Sequence, residues 1–232
     1  MIGALILCGG FGTRLRTRVA DRPKALAPVR GRPFLVYQLD WLAANGISDV
    51  TLAAGYLGDQ LEEFVRDWRD DRLALAVVRE SKSLGSGGAI VNAVKAREIN
   101  ADRLMVLNGD TLFDFDTAPL LRQHMETGAK ATLVVNEIDD IARFGVVDLV
   151  GNRVRGFHQP SGLHESGVVN AGAYVLEHAQ ITALPDGPFS IERDCFPQMA
   201  AEGRLFAYRL PVGHTFFDIG TPEAFDLINR MD

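Results

Sequence analysis

Short apolar runs alternate with stretches in which apolar residues recur every three or four positions, and this alternation organises the chain as far as Val135. Residues 4–8 are apolar throughout and stop at Gly9-Gly10, which predicts a buried strand with a glycine boundary. From Phe34, the residues Leu35, Leu39 and Leu42 fall at helical spacing, Gly46 marks a stop, and 50–54 reads as a second buried strand. Together they form one βαβ unit. Leu61, Phe64, Val65 and Trp68 make the next helical stripe, followed by a strand over 73–78 and a glycine-rich loop leading into a helix over 89–96. A strand over 103–107 ends at Asn108-Gly109-Asp110, 119–125 is helical, and 131–135 is again a strand.

Repeated alternation of this kind predicts an α/β fold, a Rossmann-like mixed and mainly parallel sheet sandwiched by helices, whose ligands sit at the carboxyl ends of the strands. Beyond Asn136 the pattern changes to strand-like pieces at 145–149, 153–157 and 168–176, separated by polar, glycine-containing turns. These predict a smaller β-rich lobe. A helix over 192–201, a strand over 205–210 and a last helix over 222–231 complete the expected order, and no low-complexity linker divides it. One domain over 1–232 is expected, with its first part at about 1–136, the lobe at about 137–221 and the C-terminal helix at about 222–232.

Composition narrows the function classes. With 24 Lys and Arg against 30 Asp and Glu, the formal charge is -6 and no long basic run exists, so no nucleic-acid partner is expected. No apolar run approaches the roughly 20 residues of a membrane span, and the first residues lack a basic leader, so a cytoplasmic setting without membrane contact is expected. Cys8 and Cys195 have unrelated spacing, which supports neither a disulfide framework nor a zinc site.

The first loop reads Gly9-Gly10-Phe11-Gly12-Thr13-Arg14-Leu15. Glycines directly after a strand let backbone N–H groups approach a phosphate closely, and Arg14 adds a cationic fork, so the loop is expected to cradle a triphosphate. The alternative is a tight turn whose glycines only permit packing. A dinucleotide fingerprint would need a third glycine where Leu15 stands and an acid where Ala53-Ala54-Gly55 ends the second strand, and Gly-Lys-Ser/Thr is absent too. Further along, Pro23 and Pro28 fix the backbone around Lys24, whose compact ammonium could meet an α-phosphate; a lone lysine is otherwise a solvated charge.

Leu7 to Leu15 followed by Arg22-Pro23-Lys24 resembles the signature of the sugar-1-phosphate nucleotidyltransferase family. The resemblance continues through Leu84-Gly85-Ser86-Gly87-Gly88-Ala89, Asn108-Gly109-Asp110, Asn170-Ala171-Gly172 and Phe217-Asp218-Ile219-Gly220-Thr221-Pro222-Glu223. It implies an enzyme of nucleotide-sugar biosynthesis for cell-surface polysaccharide, with a GT-A-like fold and two partners, a nucleoside triphosphate and a sugar 1-phosphate. The implied nucleotide contacts are Leu7, Gly9, Gly10, Gly12, Thr13, Arg14, Gly85, Ser86, Gly87, Asn108 and Gly109, with Glu80 near the base or else a surface charge. Arg14, Lys24 and Asp110 are the implied catalytic residues, and Asp110 with Asp218 would hold Mg²⁺; without the family, each Asp is equally a turn or cap residue. On the sugar side the resemblance implies Gly145, in Phe144-Gly145-Val146-Val147, then Asn170 and Glu192; Arg193 is a candidate cation. A homo-oligomer is compatible with the sequence.

One departure stands out, because many relatives carry Glu-Lys-Pro where this chain has His158-Gln159-Pro160, so the lysine expected on the sugar phosphate is missing. The motif string is most similar to the D-glycero-α-D-manno-heptose 1-phosphate guanylyltransferase branch, which predicts GTP and that heptose. Mannose 1-phosphate or N-acetylmuramate 1-phosphate with GTP or UTP are alternatives. From other classes, Asp114-Phe115-Asp116 allows a metal-dependent glycosyltransferase by analogy, and the missing lysine allows a non-catalytic nucleotide-sugar-binding protein.

Overall fold

The computed structural model describes residues 1–141, 145–158, 164–214 and 216–231. Strand β1 (Ile2–Cys8) carries the opening apolar run, with Ala4, Leu5 and Ile6 buried. Two 3-10 turns, Leu15–Thr17 and Lys24–Leu26, lead to a small hairpin of β2 (Pro28–Val29) and β3 (Arg32–Pro33). Helix α1 (Phe34–Ala44) then starts directly after Pro33 and ends before Gly46, whose φ of +71° suits a residue without a Cβ. The alternation continues through β4 (Asp49–Ala54), α2 (Gly58–Asp67), β5 (Ala74–Arg79), α3 (Gly85–Arg97) and β6 (Arg103–Asn108).

Beyond β6 come β7 (Thr111–Phe113) and α4 (Thr117–Thr127), then β8 (Ala131–Ile138), β9 (Val146–Val150), β10 (Arg153–His158) and β11 (Gly167–Glu177). The described chain closes with α5 (His178–Thr182), a π-helical turn at Ile191–Cys195, α6 (Phe196–Ala201), β12 (Leu205–Arg209), β13 (Phe216–Asp218) and α7 (Pro222–Arg230). The single helix expected over 192–201 is therefore two pieces. Pro197 has no N–H and is tolerated only in a first turn, so the α-helix begins afresh at Phe196.

Nine strands form one sheet in the order β5-β4-β1-β6-β11-β8-β12-β10-β9. β5, β4, β1 and β6 are parallel neighbours, as is the β8–β12 pair. However, β11 runs antiparallel to both β6 and β8, and β10 runs antiparallel to β12 and β9. The sheet is thus mixed, with its parallel character concentrated in the first half, which corrects the expectation of a mainly parallel sheet. The physical reason is connection length: Gly151-Asn152 joins β9 to β10, whereas a parallel crossover needs a dozen residues or more. The strands expected to form the β-rich lobe, β9, β10 and β11, belong to this same sheet.

Side chains alternate across it. Ala4, Ile6 and Cys8 of β1 pack with Leu35, Leu39 and Leu42 of α1, while Leu5 packs with Ile90, Val91 and Val94 of α3 and with Phe196 of α6. A third cluster joins Leu15, Val19, Ala27 and Val29 to Ile219, Phe225 and Ile228. The last helix thereby braces the segment that follows the glycine loop.

Candidate active site

The carboxyl ends of β1 and β6 and the residue after β5 surround a cleft of about 280 Å³. Its walls include Leu7, Gly9, Gly10, Lys24, Glu80, Gly85, Ser86, Asn108, Gly109 and Asp110, so ten of the expected residues converge on one space. This is where an α/β sheet with parallel strands places a ligand. Gly12 and Thr13 belong to the same loop, where Gly12 has φ +58° and its carbonyl accepts from Leu15 N–H at 2.9 Å. Gly109 packs so tightly that a Cβ would come 2.6 Å from the Leu7 carbonyl oxygen.

The stretch 84–89, expected as a loop, is the first turn of α3. Glycines are required there by packing: a Cβ on Gly87 would come 2.0 Å from Phe189 Cε2, and one on Gly88 would come 2.2 Å from the Gly187 carbonyl oxygen. Helical φ and ψ leave the first N–H groups of the helix without internal partners, and those of Gly87 and Gly88 are directed to the Phe189 carbonyl at 3.1 and 3.4 Å. Gly87 is therefore a packing residue as well as an expected nucleotide contact.

At the floor of the cleft, Lys24 Nζ donates to Asp110 Oδ2 at 2.7 Å, with side chains only 18% and 20% exposed. Two three-residue strands bring the second carboxylate in: β13 pairs antiparallel with β7, matching Asp218 to Thr111, and Ile219 N–H donates to the Asp110 carbonyl at 2.9 Å. Both carboxylates flank Gly220, whose hypothetical Cβ would lie 2.7 Å from Asp218 Oδ1 and 3.1 Å from Asp110 Oδ2. Burial, and then the neighbouring Asp110 charge, push the Asp218 carboxyl above its ordinary range; Gly220 N–H at 2.6 Å, Lys24 and Arg14 oppose the shift. Arg14, exposed on the glycine loop, thus adds its charge to the same field.

Two carboxylates held together at an electrostatic cost form a donor set that fits a hard divalent cation. Among the described residues there is no group of three or more His, Cys, Asp or Glu that could hold a metal ion. Glu80 lies across the cleft. Its Oε2 accepts from Leu84 N–H at 3.0 Å, and its Oε1 would meet a Cβ on Gly9 or Gly55 at 2.8 and 2.5 Å. Burial raises its carboxyl above the usual range, opposed by the Leu84 amide.

On the other side, Asn170 Nδ2 donates to Tyr174 Oη at 3.1 Å, and Tyr174 Oη donates to Glu192 Oε1 at 3.0 Å. Glu192 Oε2 also accepts from Ser190 Oγ at 2.8 Å and from Ser86 Oγ, which links it to the first turn of α3. Asn170 and Glu192 are thus brought together, and buried Tyr174, which the sequence reading missed, is the bridge. Arg193 is not brought to the cleft; its side chain is 76% exposed and its Nε meets Asp194 at 3.3 Å. Gly145 is exposed. His158 meets Asp148 at 2.5 Å. Phe144, Gln159 and Pro160 lie outside the described residues.

Asp116 is the N-cap of α4, accepting from Ala118 N–H at 2.9 Å, and His214 Nδ1 lies 3.2 Å from Asp114 Oδ1. One carboxylate of the Asp-x-Asp therefore has a structural role. A second residue missed by the sequence reading is Gln38, which donates from α1 to the Asn108 and Thr111 carbonyls at 2.8 and 2.7 Å. Its only sequence signal is a polar residue on an apolar stripe.

The chain is similar to mannose-1-phosphate guanylyltransferase catalytic subunit beta of Xenopus tropicalis, 33% identical over 226 residues, and to that of Danio rerio, 34% identical over 226 residues. Each match covers 96% of this chain, which spans 62% of the length of these curated relatives. Among solved structures, HddC from Yersinia pseudotuberculosis complexed with GMP-PN matches with a TM-score of 0.86 and 29% identity, over 99% of this chain and 98% of that one. A putative glucose-1-phosphate thymidylyltransferase from Bacillus anthracis, at 19% identity and a TM-score of 0.80, covers 100% of this chain and 97% of its own, and shares the fold. The nucleotidyl transferase family model matches residues 3–231, and the chain belongs to that family.

Proposed function

We propose that this chain transfers a guanylyl group from GTP to a sugar 1-phosphate, D-glycero-α-D-manno-heptose 1-phosphate in the narrow reading, and releases pyrophosphate. The observation that carries the reading is the Lys24–Asp110 pair at the floor of a glycine-walled cleft, with the Asp218 carboxylate beside Asp110. A phosphate oxygen of the sugar 1-phosphate attacks the α-phosphorus of GTP, the new P–O bond forms in line, and the bond to the β-phosphate oxygen breaks with its electron pair on pyrophosphate. The attacking oxygen is already anionic, so no general base is needed. Lys24 and Arg14 stabilise the charge that spreads over the phosphoryl oxygens, and the glycine loop orients the triphosphate through its N–H groups. Asp110 and Asp218 are the residues that would hold Mg²⁺, which when bound neutralises phosphate charge.

Glu80 supports guanine as the base. Guanine presents N1–H and N2–H donors side by side, and a carboxylate on the cleft wall accepts from both; uracil, cytosine and adenine lack that donor pair. The likeness to a structure with GMP-PN bound agrees with this choice. Asn170, Glu192 and Gly145 are the residues that would meet the sugar, and the Asn170–Tyr174–Glu192 hydrogen-bond chain supports the first two. Mannose 1-phosphate as acceptor is the second reading, favoured by what the curated relatives are named for. No helix among the described residues is long and apolar enough to cross a membrane, and work in the cytoplasm, alone or as a homo-oligomer, is part of the proposal.

The test is pyrophosphate release from GTP, UTP, CTP, ATP and dTTP against a panel of sugar 1-phosphates, with Mg²⁺ and with chelator, beside Asp110→Ala. Metal-dependent release with GTP and the heptose, lost in the variant, is the expected result. Preference for UTP or CTP removes the guanine assignment, preference for mannose 1-phosphate selects the second reading, and release unaffected by Asp110→Ala overturns the placement of the site.

A further inference from the structure

Gln38 sits in the middle of α1 with 1% of its surface exposed, one of few polar residues in the core. Its Nε2 donates to the Asn108 carbonyl at 2.8 Å and to the Thr111 carbonyl at 2.7 Å, and these two acceptors bracket Gly109 and Asp110. Two carbonyl oxygens facing one amide fix its orientation, because the opposite rotamer would bring oxygen against oxygen. Its Oε1 is buried with no hydrogen-bond partner among the described residues. Burying an unpaired acceptor is unfavourable, and Leu or Met would fill the space without it. What the position retains from glutamine is therefore its pair of donors, aimed at the turn that carries Asp110.

That turn needs an anchor. It joins Asn108, the last residue of β6, to Thr111, the first of β7, and is pinned at two further points: Gly109 N–H reaches the Leu7 carbonyl at 3.0 Å and Ile219 N–H reaches the Asp110 carbonyl at 2.9 Å. Gln38 supplies the restraint from the α1 side. Trp41, three residues along the same helix, donates Nε1 to the Phe115 carbonyl at 2.9 Å, a second buried anchor that lies outside the turn. The pair offers a built-in contrast between holding the segment and holding Asp110.

We propose that Gln38 is a positioning residue whose side-chain amide fixes the 108–111 turn, so that the Asp110 carboxylate faces Lys24 and Asp218 in the geometry needed for a divalent cation. Its consequence for turnover rests on the function proposed above. Residues that orient a metal-binding carboxylate govern affinity and rate without touching substrate. The effect belongs on the cation and on kcat, with nucleotide binding left nearly intact.

The experiment uses the full chain as Gln38→Met, Asp110→Asn, the double variant and Trp41→Phe. Thermal melts establish folding, Mn²⁺ binding is read by electron paramagnetic resonance, kcat and KM for GTP come from pyrophosphate release, and amide exchange is followed in the peptide covering 108–113. Gln38→Met is expected to melt cooperatively, to bind Mn²⁺ about tenfold more weakly and to lose about tenfold in kcat, with KM for GTP within about twofold of the parent. Added to Asp110→Asn, it should cause no further loss of Mn²⁺ affinity, and Trp41→Phe should lower only the melting temperature. Parent-like Mn²⁺ affinity and kcat in Gln38→Met overturn the proposal, as does a loss that adds in full to that of Asp110→Asn. Should Gln38→Met fail to fold, Gln38→Asn, too short to reach both carbonyls, is read in its place by the same criteria. Failure of the functional reading appears separately, as unchanged turnover in Asp110→Asn; exchange at 108–113 then decides, and amides no faster in the Gln38 variant than in Trp41→Phe overturn the positioning role.

Discussion

Lys24 Nζ lies 2.7 Å from Asp110 Oδ2, joining the proline-bracketed segment after β1 to the turn after β6. The two side chains are 86 residues apart in sequence. Pro23, the N-cap of a 3-10 turn, and buried Ala25, Leu26 and Ala27 hold the lysine backbone, while the β7–β13 ladder holds the aspartate. The salt bridge is only partly buried, and the same ammonium also acts electrostatically on Asp218, so an incoming phosphate can compete for it.

Lys24→Met should lower kcat for pyrophosphate release by roughly 100- to 1,000-fold, the usual loss when one preorganised donor to a charged transition state is removed. KM for GTP should change less, since the glycine loop still binds the triphosphate. Lys24→Arg keeps the charge but not the compact head, and partial activity is expected. Turnover of Lys24→Met within about tenfold of the parent would take Lys24 out of phosphate handling.

Asp218 predicts a stability gain from a damaging substitution. Its folded carboxyl titrates above the unfolded one, through burial and then Asp110, so the folded state holds the proton more tightly. Its contribution to stability is therefore greatest below the unfolded value of about 3.9 and declines as pH rises through the raised folded value. At neutral pH the ionised group is a net cost. Asp218→Asn keeps an oxygen for Gly220 N–H and removes the charge, so the melting temperature at pH 7 should rise while turnover falls. The gap should close in scans below about pH 4, where both forms are neutral. An unchanged or lower melting temperature at pH 7 contradicts the charge crowding.

Much of this site was legible in the sequence because close approaches of backbone leave their mark as glycines. Gly9, Gly10 and Gly109 stand where strands end and line the cleft, and a Cβ on Gly9 or Gly109 would meet Glu80 Oε1 at 2.8 Å or the Leu7 carbonyl oxygen at 2.6 Å; a motif records such positions directly. The sheet was legible only where parallel pairing produces apolar runs, as in β1, β4 and β6; hairpin strands such as β9 and β10, with one solvated face, carry a weaker alternation that does not reveal which neighbour they join. Gln38 and Tyr174 were illegible for another reason. Gln38 shows only as a polar residue on an apolar stripe and Tyr174 as an ordinary strand residue, and the role of each depends on which distant groups the fold brings to its polar end. The three-residue strands that pair Asp218 with Thr111, next to Asp110, are too short for any periodicity.

Gly88→Ala tests the tight wall formed by α3 and the 187–190 segment. The added methyl would sit 2.2 Å from the Gly187 carbonyl oxygen, which is backbone and cannot rotate away. A destabilisation of about 1–3 kcal/mol is expected, corresponding to roughly 2–4 °C in melting temperature for each kcal/mol in a chain of this size. Because Ser86 precedes it in the same turn and hydrogen-bonds Glu192, KM should rise for nucleotide and sugar phosphate together. A rise confined to the nucleotide would mean that the Ser86–Glu192 contact does not couple the two sides.

Glu80→Gln tests the base assignment. As a carboxylate, Glu80 accepts two donated hydrogen bonds from guanine; as an amide of the same shape it offers one acceptor and one donor, and the donor opposes a guanine N–H. Loss of selectivity for GTP over other triphosphates by roughly 10- to 100-fold in kcat/KM is expected, with kcat on the best remaining base less affected. The raised carboxyl adds a signature in pH. Since burial lifts its titration above the usual Glu range, KM for GTP should begin to climb as pH falls into that raised range, before an ordinary surface glutamate would protonate. In Glu80→Gln that climb should be absent, because the group no longer titrates. Base selectivity and a pH dependence unchanged by the substitution would place guanine recognition elsewhere on the cleft wall and leave Glu80 as the N–H acceptor for Leu84.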